Sequence, residues 1–362
     1  MTAPARDRVP VRDDLVDVEP YGAPQLDVPV RLNTNETPYP PPPAFYARLA
    51  ARIRTLPLHR YPDRRALLLR TALGVRYGLP PERVWVANGS NEVLQQLFQA
   101  YGGPRRTLLL FRPGYSMHGL IAKVTLTPTA TVDLDDDFAL SPASAAAAVE
   151  RVRPDIICIA SPNAPTGVPV SREAVRALHD AGGALVVLDQ AYGEFLDDDT
   201  ADPTSLLAEL PRLVVVRTFS KAWRLAGARL GYLLGPDWVV DDIRKVRLPY
   251  HLDALSQAAG IVALELADEV TAHIAPLIAE RERVRAALAA LDGIEVFPSA
   301  GNFLLFRSAV GDLWQRLLDR GVLVRDFSRQ PRLEGCLRVT IGTPQENDAF
   351  LSALSACLEE AT

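Results

Sequence analysis

At 362 residues the chain is long for one compact core, so two domains are the better expectation. A formal net charge of −5 offers no electrostatic footprint for nucleic acid or for an anionic membrane surface. No window approaches the roughly 18 uninterrupted apolar residues of a membrane span, so we expect neither a nucleic-acid-binding nor a membrane protein.

The cysteines and the acidic clusters show no metal-ligand pattern. Cys158, Cys336 and Cys357 are isolated among apolar neighbours, and an odd, scattered set is typical of a reducing compartment. The clusters DLDDDF (133–138) and LDDDT (196–200) lack calcium-loop spacing and are expected to be solvated loops. The polar, Pro-rich start has no apolar core of a signal peptide, so the sequence predicts a cytoplasmic protein without a metal site.

The proline-rich residues 1–43 predict an extended N-terminal arm. The run PYPPPP (38–43) cannot be helical, because proline lacks the N–H that a helix interior needs. From about residue 44, short apolar runs alternate with helical patterns. The predicted strands are VWVA (84–87), TLLLF (107–111), DIICIA (155–160), ALVVLD (184–189), RLVVVR (212–217) and RLGYLL (229–234). The predicted helices between them include residues 91–101, 141–152 and 171–182.

This alternation predicts an α/β fold with a large domain over residues 44–250. Several of the strands are apolar at consecutive positions, which is typical of a mostly parallel, doubly wound sheet covered on both faces. After residue 250 a long helical tract is predicted over 253–291. The strand-like runs EVFPSAGNFLLF, GVLVRDF and CLRVTIGT and a terminal helix follow, which indicates a smaller α+β domain over residues 251–362.

Five predicted strands run directly into segments rich in polar or ligand-type residues. Ligands of open α/β sheets bind at the carboxyl ends of the strands, so we expect these segments to share one pocket. In chain order they are NGSNEV, RPGYSMH, SPNAPTG, QAYGEF and TFSKAW.

Lys221, in the last of these segments, belongs to a rare residue type in this chain. The 39 basic residues comprise 36 arginines and the three lysines Lys123, Lys221 and Lys245. Arginine stays protonated in proteins, whereas a lysine can lose its proton and act as a nucleophilic amine. A surface lysine is the alternative on composition alone, but the position of Lys221 after a strand end favours a chemical role.

Other strand-end residues each allow a ligand role and a structural one. Asp189 ends an apolar strand and could pair with an N–H⁺ group of a ligand or cap a neighbouring loop. The hydroxyl of Tyr192, three residues later, could reach the same ligand. Asn163 could bond its own backbone instead, and Tyr115 could be a stacking face or a core aromatic.

Two sets of donors suit a phosphate group. Asn88 and Gly89 between apolar runs could form a hairpin turn, yet the helical period that follows favours Gly89-Ser90-Asn91 as a helix N-terminus with free N–H groups. The run from Thr218 to Arg229 supplies the second set, which consists of two hydroxyls and a guanidinium around Lys221.

A strand-end Asp, a later S-K-x₇-R pattern and an upstream Gly-Ser that opens a helix resemble fold-type-I pyridoxal-phosphate enzymes. Further motifs resemble the histidinol-phosphate aminotransferase family within class I/II aminotransferases, from about residue 25 to the C-terminus. These motifs are LNTNETPYP (32–40), RYPD (60–63), NGSNE (88–92), PGYSMH (113–118), SPNAPTG (161–167), RLPYHLDALSQAA (247–259), GNFLLF (301–306), VRDFS (324–328) and LRVTIGTPQEN (337–347).

The resemblance implies the cofactor pyridoxal 5'-phosphate and a role for each matching residue. Lys221 would be the Schiff-base lysine, with Asp189 as partner of the pyridine nitrogen. Asn163 and Tyr192 would contact the ring hydroxyl O3', and Tyr115 would stack on the ring. The cofactor phosphate would be held by Gly89, Ser90, Asn91, Thr218, Ser220 and Arg229, and by Tyr61 from the partner subunit of a homodimer. Arg325 and Arg338 would bind the anionic end of the substrate.

The chain departs from the family pattern at three positions. Asn91 stands where Asp is usual, Gln190 where Glu is usual, and Arg224 where Gly or another small residue is usual. Asn91 can still act through its backbone N–H, whereas Arg224 places a bulky cation three residues after Lys221.

The implied reaction is transamination of L-histidinol phosphate with 2-oxoglutarate, a step of histidine biosynthesis. An aromatic amino-acid aminotransferase and a threonine-phosphate decarboxylase share nearly the same motifs and remain alternatives. A non-catalytic PLP-binding protein is a rival of another class. A nucleotide-binding α/β protein is disfavoured, because the chain lacks G-x-G-x-x-G and the P-loop pattern.

Overall fold

The computed structural model describes residues 9–20, 22–196 and 203–361. Within those ranges the β-strands are β1 Val30–Arg31, β2 Val84–Ala87, β3 Leu108–Arg112, β4 Thr129–Asp133, β5 Ile156–Ala160, β6 Leu185–Asp189, β7 Leu213–Thr218, β8 Gly231–Leu234, β9 Ile294–Val296, β10 Phe303–Ser308, β11 Val322–Leu323, β12 Arg325–Asp326 and β13 Cys336–Thr340. The α-helices are α1 Pro43–Ile53, α2 Leu67–Tyr77, α3 Ser90–Tyr101, α4 Ser116–Val124, α5 Pro142–Val152, α6 Arg172–Asp180, α7 Asp237–Val246, α8 Ala254–Glu265, α9 Ala267–Thr271, α10 Ile274–Ala289, α11 Leu313–Asp319 and α12 Pro344–Glu359.

The central sheet confirms the predicted α/β fold with a mostly parallel, doubly wound sheet. In the described part of the chain its seven strands have the order β2-β8-β7-β6-β5-β3-β4. Strands β7, β6, β5, β3 and β4 are parallel, and β8 is antiparallel to both β7 and β2. Because β2 reverses the direction of β8, it runs the same way as β7. The carboxyl ends of β2, β3, β5, β6 and β7 therefore lie at one edge of the sheet.

Both faces of this sheet are buried, which explains why the central strands are apolar at consecutive positions. Along β6, Val186 and Leu188 pack in one hydrophobic cluster, while Leu185 and Val187 pack in a second cluster on the opposite face. Strand β7 alternates in the same way between the two clusters. The six strands predicted in this region are all present, with ends that differ by two residues at most.

Five details of the predicted elements were wrong or incomplete. Pro43, the last residue of the run predicted not to be helical, is the first residue of α1, where no partner for its missing N–H is needed. The run EVFPSAGNFLLF contains parts of two strands, β9 and β10. The tract over 253–291 is divided into α8, α9 and α10, with a first break at Leu266. The run GVLVRDF is two short strands, β11 and β12, that belong to different sheets. Strand β4 was not predicted, because this edge strand alternates exposed and half-buried residues and so has no apolar run.

A second sheet and the N-terminal segment face the edge of the central sheet at which these carboxyl ends lie. We call it the ligand-binding edge, because open α/β sheets bind ligands there. Strands β12, β13, β10 and β9 form an antiparallel sheet, and β1 pairs in parallel with β11. Residue Leu32 continues this contact, since Leu32 N donates to Leu323 O at 2.8 Å and Leu32 O accepts from Thr340 N at 2.9 Å. The predicted arm is thus anchored to the smaller sheet just before residues 33–35, and the division at residues 43 and 250 stays a prediction.

Candidate active site

All five predicted strand-end segments meet at one cavity on the ligand-binding edge of the sheet. The cavity lies between this edge, the N-terminal segment and β13 of the smaller sheet. Its lining residues are Thr34, Ser90, Asn91, Tyr115, Ala160, Pro162, Ala164, Asp189, Ala191, Tyr192, Thr218, Ser220, Lys221, Arg229 and Arg338.

The amine of Lys221 lies inside this cavity, three residues after β7 ends. Its Nζ donates to the backbone oxygen of Thr34 at 2.7 Å and lies 6.0 Å from the centre of the Tyr192 ring. Burial, helped by the positive charges of Arg338 and Arg229, lowers the pKa of Lys221 to about 8. The fraction of the amine that is neutral and nucleophilic near physiological pH is therefore larger than for an exposed lysine.

Asp189, the last residue of β6, has a buried carboxylate whose side-chain partner is His118 on helix α4. It is 2% exposed, and its Oδ2 is 2.9 Å from Nε2 of His118, while Oδ1 accepts from Ala191 N at 3.2 Å. Burial opposes protonation of His118, but Cys158 and Asp189 outweigh it and raise the pKa of His118. These contacts fix the carboxylate at the cavity, where it could bind an N–H⁺ group of a ligand.

An anion-binding cradle forms where α3 begins beside Arg229. Gly89 has a φ of 83° and turns the chain so that α3 starts at Ser90 with its free N–H groups towards the cavity. A Cβ at Gly89 would lie 2.8 Å from Nη2 of Arg229, and a Cβ at Gly231 would lie 2.3 Å from Ser90 N. Glycine at both positions lets the helix N-terminus and the guanidinium approach closely.

Hydroxyls on the other side of the cradle are held by local hydrogen bonds. Thr218 Oγ1 accepts from Ser220 N at 3.1 Å and donates to Ser220 Oγ at 3.0 Å. Arg229 Nη1 donates to Ser220 Oγ at 3.4 Å. A bound phosphate would thus meet helix N–H groups, two hydroxyls and a guanidinium, which together satisfy its oxygens.

Tyr192 and Tyr115 present aromatic groups to the cavity, whereas Asn163 lies in the loop behind it. The hydroxyl of Tyr192 accepts from Asn35 Nδ2 at 2.8 Å, and the hydroxyl of Tyr115 is 3.5 Å from the Asn91 side chain.

Asn163 is 3% exposed, and its Nδ2 donates to Pro113 O at 2.9 Å and to Thr166 Oγ1 at 3.0 Å. Its amide donor thus connects two loops and does not bond its own backbone as the alternative interpretation expected, and its contact with the cofactor stays a prediction.

Of the residues expected to contact substrate or partner, one lines the cavity within this single chain. Arg338 is a lining residue, and its Nη2 donates to Asn33 O at 3.1 Å. Arg325 instead donates to Gly22 O at 2.9 Å and is outside the lining set. Tyr61 is 78% exposed and stacks on Tyr250 with ring centres 4.3 Å apart. The roles of Arg325 and Tyr61 stay predictions.

Arg224 fits its unusual position through contacts away from the cavity. It adopts a left-handed φ of 59°, where Gly would be unstrained. Its Nε donates to His273 Nδ1 at 2.7 Å, and its Nη1 donates to Pro40 O at 3.0 Å. The cation is directed to the junction before α10 and to the N-terminal segment, so it leaves the surroundings of Lys221 clear.

Gln190, the second departure, belongs to a buried network below the site. Its Oε1 accepts from Nη2 of Arg217 at 2.8 Å and from Nε at 3.1 Å. Arg217 is also 3.7 Å from the carboxylate of Glu194. The carboxylate that balances the buried guanidinium therefore stands at position 194, and a neutral amide at 190 suffices to accept its hydrogen bonds.

Three residues of the site were not singled out from the sequence. Thr34 and Asn35 lie in the motif LNTNETPYP, and His118 ends the motif PGYSMH, so the motifs marked the segments without identifying these positions. The contacts of the N-terminal pair depend on packing between distant parts of the chain. His118 could have been found as the only histidine in the segment RPGYSMH, which follows β3, the neighbour of β5 in the sheet.

The donor set fits pyridoxal phosphate, the cofactor implied by the resemblance. The cradle at Ser90 and Arg229 suits its phosphate, and the Asp189 carboxylate suits a protonated ring nitrogen. Lys221 supplies the amine. No group of three or more His, Cys, Asp or Glu side chains that could hold a metal ion occurs in residues 9–20, 22–196 and 203–361. Residues 197–200 of the second acidic cluster lie outside those ranges.

Residues 28–354 match the family model of aminotransferase class I and II. The chain belongs to this family. A histidinol-phosphate aminotransferase of Mycolicibacterium vanbaalenii is 48% identical over 96% of this chain and 95% of its own length. No helix of the described residues is long and apolar enough to cross a membrane.

Solved structures of family relatives share the fold of this chain. The histidinol-phosphate aminotransferase of Sinorhizobium meliloti, in complex with pyridoxal-5'-phosphate, has a TM-score of 0.84 and 26% identity over 92% of each chain. The L-threonine-O-3-phosphate decarboxylase of Porphyromonas gingivalis has a TM-score of 0.80 and 25% identity over 91% of this chain and 99% of its own. These matches confirm the fold-type-I architecture of a class I/II aminotransferase.

Proposed function

We propose that this aminotransferase uses pyridoxal 5'-phosphate to convert L-histidinol phosphate and 2-oxoglutarate into imidazole-acetol phosphate and L-glutamate in histidine biosynthesis. The observation that carries the proposal is the convergence of the Lys221 amine, the Asp189 carboxylate and a phosphate cradle on one cavity. The name of the 48% identical relative supports the choice of substrate.

When bound, pyridoxal phosphate supplies an aldehyde that condenses with amines and a ring that accepts electrons from the substrate α-carbon. Lys221 would bind the cofactor and, once its amine is free, remove the α-proton and return it on the opposite carbon of the C=N bond. In the cofactor-free protein its lowered pKa of about 8 favours the neutral amine that attachment of the cofactor needs.

Other residues would orient the reacting groups. Asp189, fixed by His118, would hold a protonated ring nitrogen, and Tyr192 would donate to the ring hydroxyl oxygen O3'. The predicted contact of Asn163 with O3' would require its Nδ2 to give up a bond to Pro113 O or Thr166 Oγ1. Tyr115 would cover one ring face. Arg338 would bind the substrate's phosphate in one half-reaction and a glutamate carboxylate in the other, with Arg325 as its neighbour on β12.

A substrate comparison tests this function. Purified protein with added pyridoxal phosphate is expected to transfer the amino group of histidinol phosphate to 2-oxoglutarate faster than that of phenylalanine or tyrosine. A preference for the aromatic acids would make the chain an aromatic aminotransferase. Release of CO₂ from threonine phosphate would make it a decarboxylase, and a coloured but inactive protein would support a non-catalytic binding role.

A homodimer with Tyr61 at the partner's cofactor is the second part of the proposal. Tyr61 and Leu68 line one groove and are 78% and 70% exposed, which leaves apolar surface for a second copy to cover. Mixing inactive Lys221→Ala and Tyr61→Ala chains tests this arrangement, because a hybrid dimer has one site with both native residues. Activity should return on mixing. If it does not return, Tyr61 does not act at the partner's cofactor site.

The cellular location and the domain division also remain proposals. Cys158, Cys336 and Cys357 are buried free thiols, which suits the reducing cytoplasm. The proposed domains are residues 44–250, which carry Lys221 and Asp189, and residues 251–362, which carry Arg325 and Arg338, with residues 1–43 as an arm. Cell fractionation and limited proteolysis test the two assignments.

A further inference from the structure

Two adjacent residues of the N-terminal segment contact the two groups nearest to the proposed chemistry. The backbone oxygen of Thr34 accepts from Lys221 Nζ at 2.7 Å. The side chain of Asn35 donates from Nδ2 to the hydroxyl of Tyr192 at 2.8 Å. These residues are more than 150 positions away from their partners in sequence, so the contacts are tertiary and fix the segment to the site.

Every polar atom of Asn35 has a partner, and together they fix the orientation of its amide. Asn35 N donates to Thr340 Oγ1 at 2.9 Å, and Thr340 Oγ1 donates to Asn35 Oδ1 at 3.1 Å. Asn302 Nδ2 donates to Asn35 O at 3.1 Å. Thr340 Oγ1 already accepts from Asn35 N, so its hydrogen is available for Oδ1. With Oδ1 towards Thr340, the Nδ2 donor faces Tyr192.

The backbone of Asn35 explains why asparagine stands here. The residue is fully buried with a left-handed φ of 55°, a region that asparagine tolerates better than most non-glycine residues. Glycine would adopt the conformation but has no donor for Tyr192. Aspartate would keep the shape but presents an acceptor in place of the N–H.

We propose that Asn35 is a positioning residue that orients the Tyr192 hydroxyl towards the ring oxygen of the cofactor. The inference rests on the proposed function. Since Nδ2 donates to the tyrosine oxygen, the hydroxyl hydrogen is directed away from Asn35. Thr340 is two residues from Arg338 on β13, so the same contact links the substrate-binding strand to the cofactor side of the site.

A pH titration of the visible absorption band of the cofactor complex reads out this role. A hydroxyl that donates to the ring oxygen stabilises the anionic form of that oxygen. An Asn35 substitution that turns the Tyr192 hydroxyl away should therefore raise the midpoint pH of the change in this band. We expect Asn35→Ala to raise the midpoint by about half a unit and Asn35→Asp, which adds a negative charge and reverses the bond, by about one unit or more.

Two controls separate this role from a structural one. Asn302→Ala removes a bond to the backbone of Asn35 and should lower the melting temperature while leaving the midpoint at the wild-type value. In a Tyr192→Phe background Asn35 has no hydroxyl to orient, so adding Asn35→Ala should cause no further shift. The conservative Asn35→Asp variant covers the case in which Asn35→Ala does not fold.

The outcomes distinguish this inference from the proposed function. A wild-type protein that gains no visible band with pyridoxal phosphate would overturn the proposed function. A coloured wild type with unchanged midpoints in both Asn35 variants would overturn the positioning role alone. So would an Asn302→Ala shift as large as that of Asn35→Ala, or shifts that add fully in the Tyr192→Phe background.

Discussion

The two walls of the active-site cavity are built in different ways. The sheet wall consists of Ser90, Asp189, Thr218, Ser220 and Lys221, and each of them ends a central strand or follows one within three residues. The outer wall consists of Thr34 and Arg338, which come from the N-terminal segment and the smaller sheet, and Asn35 lies behind it. Its contacts join distant parts of the chain, with 305 positions between Asn35 and Thr340.

This difference indicates a division of labour between the walls. The sheet wall is set by strands buried on both faces, so its groups are rigidly placed and suit the cofactor chemistry. The outer wall depends on hydrogen bonds between the N-terminal segment and the smaller sheet. It carries Arg338, whose guanidinium would bind the anionic end of the substrate. Substitutions in the sheet wall should therefore reduce turnover, and substitutions in the outer wall should chiefly alter substrate affinity.

The largest effect is expected from Lys221→Ala in the sheet wall. Loss of the amine should lower kcat by at least about a thousandfold, because both cofactor attachment and proton transfer depend on it. The purified variant should also lack the visible absorption band. Lys245→Ala is the matched control, since Lys245 is an exposed lysine paired with Asp242 on α7. Equal losses in both variants would contradict a special role for Lys221.

Asp189→Asn should have the next largest effect. The substitution keeps the shape of the side chain but removes the charge that holds a protonated ring nitrogen. We expect kcat to fall about a hundredfold or more, with a smaller change in KM. Asp133→Asn, on the exposed edge strand β4, is the control. A wild-type kcat in the Asp189 variant would show that the ring nitrogen needs no charged partner here.

The sheet wall could be predicted from the sequence, because strand ends are local features. Apolar runs located β6 and β7 almost to the residue, and Asp189 and Lys221 followed from these positions. The contacts of Asn35 could not be predicted, since they require the packing of β13 against the N-terminal segment. The split of GVLVRDF into two strands likewise depends on which sheet offers a partner, and that partner is far away in sequence.

A comparison of Arg338→Gln with Arg325→Gln sharpens the definition of the outer wall. Arg338 lines the cavity, whereas Arg325 donates to the backbone of Gly22. We expect the KM for histidinol phosphate to rise about 10- to 100-fold in the Arg338 variant, as for a lost charge-assisted hydrogen bond, and about threefold or less in the Arg325 variant. Equal increases in KM would indicate that Arg325 contacts the substrate as Arg338 does.

The smallest expected effect concerns the stability cost of Lys221 in the cofactor-free protein. Burial lowers the pKa of Lys221 from 10.5 to about 8, so between these values the unfolded chain binds more protons than the folded one. The free energy of unfolding should therefore rise with pH through this window, and the cost of burying the charged amine is fully present below it.

Lys221→Met tests this cost, because methionine fills similar space without a charge. At about pH 7 the cofactor-free variant should be more stable than the wild type by roughly 1–3 kcal/mol, and the difference should shrink as the pH approaches about 10. Urea unfolding at several pH values measures it, with Lys245→Met as the exposed control. A difference that stays constant with pH would show that packing, and not the buried charge, sets the stability of the sheet wall.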